Sequence, residues 1–210
     1  MATAIDICNL ALSRLGDRAT VASIDPPEGS VQADHCARFY PLAKETALAA
    51  HAWRFALTRR RLPVLDVEPV GASGKYFALP SDCLAVVSVT PAEGWTPALD
   101  PMLFTTENVN GARAVLADAE SVVCRYVSAK TQEDAFPPEF VDALAWLVAS
   151  HLAGAMIAGS SGQKMAADSL QFYQAALQNA VQTDARFHVE RDRPRDPFAG
   201  DAVSNYFRGA

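Results

Sequence analysis

The chain has 210 residues, half of them hydrophobic and a fifth charged, with a formal net charge of −6. That is a globular balance, with room for one sizeable core or a core and a small satellite. It argues against a protein that grips duplex DNA by overall charge, because such binding draws on a surplus of Lys and Arg.

The start, MATAIDICNLAL, lacks a basic leader and places Asp6 inside the apolar run, so synthesis and folding in a cytoplasm are expected. Thr3 with Asp6 three residues on has capping-box spacing. A first helix follows, with Ile5, Cys8, Leu12 and Leu15 as its apolar stripe and Gly16 as its stop. Pro26, Pro27 and Gly29 make the next stretch a loop. A second helix begins near Ser30, with Ala33, Cys36, Tyr40, Ala43, Ala47 and Ala50 on one face and Pro41 as an expected kink. Trp53 and Phe55 close that element.

From Phe55 the period changes to two, with Leu57, Arg59 and Arg61 on one side and Ala56, Thr58, Arg60 and Leu62 on the other. Strands are predicted before the Pro80-Ser81-Asp82 corner, over Leu84 to Thr90, and in RAVLAD and SVVCRYVSA, the last two read as a hairpin around Asp118 to Glu120. Pro137 and Pro138 then open a third helix, reaching about Ala158. Its segment from Ala143 to Gly159 is almost wholly apolar but slightly short for a membrane span, so burial against other helices is expected. Gly159 to Gly162 reads as a turn. A fourth helix follows from about Gln163 to Phe187, with Met165, Leu170 or Ser169, Tyr173, Leu177 and Val181 near one face. The final segment is polar, with spaced aromatics. The periodicities thus predict an α+β protein: a helical set interrupted by a β-rich insertion.

Catalytic signals are weak. VGASGKY is not a phosphate loop, because Pro69 and Tyr76 stand where Gly and Ser or Thr are required. GSSGQ lacks nucleophile-elbow spacing. His35, His51, His151 and His188 have no ligand-spaced partners, and the adjacent Asp34, His35 and Cys36 point in different directions on a helix. Glu133 and Asp134 suit the dipole of the helix that follows. Cys8, Cys36, Cys83 and Cys124 read as buried reduced thiols. Neither a catalytic, a metal nor a cofactor site is assigned. The alternation of Arg59, Arg60 and Arg61 suits a charged edge strand or salt bridges to a neighbouring subunit, with DNA phosphates as the alternative.

Four stretches stand in a familiar order: AIDICNLALSRLGD, ADHCARFYPLAKETALAAHAWRFA, YFALPSDCLAVVSV and AFPPEFVDALAWLVASHLA. Across about residues 3 to 180 the chain resembles the tail tubular protein A family, the head-to-tail adaptor (connector) proteins of short-tailed and related tailed phages. The Trp-x-Phe-Ala, Leu-Pro-x-Asp-Cys and Phe-Pro-x-x-Phe motifs carry the likeness, whereas the segment from Pro194 onward matches in character only. The resemblance implies a virion protein of the head-tail interface, not an enzyme and without a cofactor. It implies a ring, dodecameric in the family, beneath the portal protein. The ring would offer a docking surface to the tail nozzle or other tail proteins and pass double-stranded DNA without sequence-specific binding or membrane contact. The implied fold is a bundle of four helices, two N-terminal and two long C-terminal, with a small inserted antiparallel β-domain and an extended tail. Expected boundaries are 1–54 with 130–190 for the bundle, 55–129 for the insertion and 191–210 for the tail. Phe198, Tyr206, Phe207 and Arg208 are expected to bind the portal, Arg59, Arg60 and Arg61 a subunit, the tail or DNA, and Trp53 and Phe55 to wedge bundle against insertion. The rival readings are a DNA-packaging or DNA-binding accessory module and a phage enzyme.

Overall fold

The structure is a computed structural model that describes residues 2–18, 20–69, 71–92 and 102–186. In chain order the described elements are α1 (Ala4–Arg14), α2 (Val31–Ala49), β1 (Leu57–Arg61), β2 (Lys75–Ala78), β3 (Cys83–Pro91), β4 (Thr105–Val109), β5 (Ala112–Ala117), β6 (Val122–Ser128), α3 (Pro138–Met156) and α4 (Gly159–Arg186). The protein is therefore α+β, with its strands lying in the chain between two pairs of helices.

Local chemistry sets the helix ends. The Thr3 side chain accepts the Asp6 N–H at 3.1 Å while the Asp6 carboxylate accepts the Thr3 N–H at 2.9 Å, a reciprocal cap. Ser30 caps α2 through the Ala33 N–H. Pro41 lies within a helix that runs unbroken from Val31 to Ala49. Pro138 occupies the first turn of α3, where its missing N–H has no helical partner to lose.

α3 contacts α1, α2 and α4, which accounts for its apolar character on every side. Among the described residues no helix is long and apolar enough to cross a membrane. The buried face of α1 is Ile7, Cys8, Ala11 and Leu12, so the expected stripe is rotated and Ile5 and Leu15 lie at its margins. In α2 the face ends on Leu48 rather than Ala50. In α4 Ser169 points inward and Leu170 outward.

The predicted turn at Gly159 to Gly162 is instead the first turn of α4; the link is only Ile157 and Ala158. Two local features make so short a corner possible. Gly159 adopts φ +73°, and a Cβ on Gly162 would sit 2.0 Å from the Ile157 carbonyl oxygen.

The strands form two antiparallel sheets with orders β1-β6-β3 and β2-β5-β4. The expected hairpin of β5 and β6 is absent, because these strands belong to different sheets and the chain crosses between layers at Asp118 to Ser121. The observed hairpin joins β4 to β5 through Asn110-Gly111, at φ 52° and 82°, the backbone a two-residue primed turn demands. The strand pattern also starts later than expected: Arg54 to Ala56 form a 3-10 turn, and β1 begins at Leu57. Phe77 and Val115 from one sheet and Val89, Val122, Cys124 and Tyr126 from the other share one apolar cluster. Alternation along β6 turns Val127 the other way, into the helical core.

Candidate interaction surface

Aromatic rings cluster between the segment that follows α2 and the start of α3. Trp53 packs edge-on to Phe140 at 5.1 Å between centroids, and Phe55 meets Phe140 at 5.0 Å and Phe136 at 5.6 Å. Such edge-to-face contacts add stability beyond the area they bury. The indole N–H of Trp53 donates to the Ala47 carbonyl at 2.9 Å, tying the cluster to the end of α2. Trp53 and Phe55 come from one motif and Phe136 and Phe140 from another, so two stretches far apart in sequence form one joint. Beside it, Glu133 accepts from Lys44 at 2.7 Å and from the Tyr40 hydroxyl at 3.0 Å. Burial pushes the Glu133 carboxyl upward, but the Lys44 ammonium and the Tyr40 hydroxyl outweigh it and hold the group below its usual range. Glu133 is thus a cross-link between α2 and the approach to α3, more than a dipole partner.

The third motif makes a corner. Asp82 accepts from the Ser128 hydroxyl at 2.6 Å and from the Tyr126 hydroxyl at 3.3 Å, and its carbonyl accepts the Ala129 N–H at 2.8 Å. The Ser128 bond is the main reason the Asp82 carboxyl lies below its ordinary pKa. This corner clamps the end of β6, where the chain returns to the helices.

The three arginines stand on β1, an edge strand, and all three are exposed. Their alternation is as read: Arg59 lies opposite Arg125 and Arg61 opposite Val123, while Arg60 lies opposite the buried Cys124. Arg60 approaches the Tyr126 hydroxyl, whose pKa burial raises and Arg60 opposes. Arg125 was not singled out from sequence; it is half-buried and shares its face of β6 with Val123 and Val127. Arg59, Arg61 and Arg125 thus bring three positive charges to one sheet face. A cleft of about 430 Å³ lies beside it, between Arg60 to Pro63 and Ala78 to Pro80.

A second cavity, about 300 Å³, opens next to the aromatic junction between the start of α3 and the last turns of α4. Nothing in the sequence marked it, because its walls come from three separate stretches of chain.

All four cysteines are buried and free. Burial raises the Cys124 thiol to about 12, so it stays protonated at neutral pH. Burial also lowers the His151 pKa; that ring stacks on Phe39 at 5.8 Å. Among the described residues no three His, Cys, Asp or Glu side chains gather closely enough to hold a metal ion. Phe198, Tyr206, Phe207 and Arg208 lie outside the described residues. Comparison of the sequence with models of known protein families and with curated proteins found no match.

Proposed function

We propose that this chain is a structural head-to-tail adaptor of a tailed bacteriophage, a four-helix bundle carrying an inserted β-domain and an extended tail. Copies form a ring beneath the portal, continue the DNA channel and offer a docking surface to the tail. It does so as a packing and docking element rather than as an enzyme, in the virion at the head-tail interface.

The observation that supports this reading is the aromatic joint. The motifs that resemble the adaptor family are the segments that make contact: Trp53 and Phe55 meet Phe136 and Phe140, and Asp82 clamps the end of β6. The residues carrying the likeness thus pack the segment that leads into β1 against the start of α3, and a ring subunit that presents one surface upward and another downward needs such a joint. The acidic balance suits a conduit whose wall repels phosphate and lets DNA slide. In this reading Phe198, Tyr206, Phe207 and Arg208 anchor the tail on the portal, aromatic groups being efficient anchors. The exposed arginines of β1 meet a neighbouring subunit or a tail protein.

The decisive experiment mixes the purified chain with the portal ring encoded in the same genome and images the mixture by electron microscopy. An added ring with the portal's symmetry is the expected outcome; a bare portal beside folded protein refutes the proposal. Removing residues 194–210 is expected to abolish the added ring while leaving the folded monomer.

The basic face of Arg59, Arg61 and Arg125 favours a second reading, a DNA-binding packaging accessory. That reading requires salt-dependent retention of duplex DNA by the purified chain.

A further inference from the structure

The two sheets carry opposite charge on their outer faces. They pack through one shared cluster, with Val89 and Cys124 from one sheet and Phe77 and Val115 from the other. The side of each sheet that stays out of this cluster therefore points away from its neighbour. On β1-β6-β3 that side bears Arg59, Arg61 and Arg125: Arg59 stands opposite Arg125, whereas Arg60 stands opposite Cys124 and belongs to the inner side. None of these three strands contains an Asp or a Glu. On β2-β5-β4 the outer side is marked by Tyr76, Ala114 and Leu116, with Leu65 and Val67 packed over them. Glu107 lies there, opposite Ala114. Asp66 and Glu68 alternate with Leu65 and Val67 and are exposed, so they turn outward. The two cations of these strands, Lys75 and Arg113, share the inner side with Phe77 and Val115, and Arg113 donates to the Cys83 carbonyl at 2.7 Å.

Stacked sheets lie ~10 Å apart, and salt screens exposed charges over a comparable ~8–10 Å. The two faces therefore do not neutralise each other within one chain. We propose that they meet between chains, the Arg59, Arg61 and Arg125 face of one copy docking on the Asp66, Glu68 and Glu107 face of a second copy. Charge complementarity selects this occupant, because the counter-surface for the arginines is built into the same molecule. The two surfaces differ and point in opposite directions, so a docked pair still offers one free face of each kind. The contact is heterologous and propagates from copy to copy instead of stopping at a dimer. It assigns the arginines to a neighbouring subunit rather than a tail protein, and it rests on the adaptor reading only for the closure of successive contacts into a ring.

Sedimentation velocity of the full chain tests the contact. At low salt the native chain is expected to form species larger than a dimer, and to return to monomer as salt rises. Arg59→Glu with Arg61→Glu reverses one face, and Asp66→Lys with Glu68→Lys reverses the other. Glu107 is left in place because it holds the Tyr76 hydroxyl at 2.7 Å. Each double variant alone is expected to associate at least about tenfold more weakly than the native chain, since like charges then face each other. An equimolar mixture of the two is expected to recover the association, because each face again meets its opposite. A mixture no better than either variant alone would overturn the proposal. So would a native chain that is monomeric at low salt, or that stops at a dimer. Monomers that retain duplex DNA would give the arginine face to a polyanion and overturn it too. Copies that associate in this way beside a bare portal would refute the adaptor reading and leave this contact standing. Portal rings formed by a chain carrying Arg59→Gln, Arg61→Gln, Asp66→Asn and Glu68→Gln would uphold the adaptor reading and remove this contact.

Discussion

Phe140 touches Trp53, Phe55 and Phe136 and is 1% exposed, so it is the keystone of the aromatic joint. Phe140→Ala removes a fully enclosed ring and is expected to cost about 3–5 kcal/mol, read as a lower urea midpoint. Asp82 is expected to write a pH dependence into stability. Its folded pKa lies below the ordinary 3.8, so its contribution is complete above that value and is lost as pH falls through the folded pKa. The stability gap between wild type and Asp82→Asn, measured by urea unfolding, should therefore be constant from pH 7 to 5 and shrink toward pH 3. A gap that widened with acid would show that Asp82 is not held ionised by Ser128. The burial of Trp53 was legible because large rings at a change of period have few places to go except a core. Arg125 and Asp184 were not, since each gains its meaning from a partner strand or helix distant in the chain.

The α3–α4 corner depends on two glycines, and Gly162 is the more tightly enclosed of them. A methyl group at Gly162 would meet the Ile157 carbonyl oxygen at 2.0 Å and the Ala153 oxygen at 3.1 Å, both backbone atoms that cannot step aside alone. Gly162→Ala is expected to destabilise by about 2–4 kcal/mol, visible in thermal melting, despite alanine's better helix propensity. An unchanged melting temperature would mean the corner relaxes freely. The β4–β5 hairpin shows the reverse case: Asn110-Gly111 is a strong local turn signal, and the strand before it, TTENV, is so polar that its period was missed. Its side chains are mostly exposed, so the apolar alternation that betrays a strand is largely absent.

Charge is distributed unevenly over the molecule as a whole. A chain of net −6 places Arg59, Arg61 and Arg125 together on one sheet face. Reversing the two exposed ones on the edge strand together, Arg59→Glu and Arg61→Glu, is expected to leave the melting temperature within a few degrees, since surface charges contribute little to stability. If the proposed function holds, the same variant should decorate portals poorly or fail to accept the tail, as counted in electron micrographs. Normal decoration and tail attachment would remove these arginines from the assembly interface. Loss of salt-dependent DNA retention alone would favour the accessory reading.

Composition and periodicity were enough to reveal an α+β chain, the helix cap at Thr3, the start of α2 near Ser30, the proline start of α3 and the burial of an all-apolar helix. Each of these follows from interactions spanning a few residues or from the general need to remove apolar surface from water. The assignment of β5 and β6 to opposite sheets, the inward turn of Ser169 and the meeting of Asp184 with Trp53 and Pro138 emerged from packing alone. They depend on which distant segments share one enclosed volume, and local residue patterns carry no record of that choice.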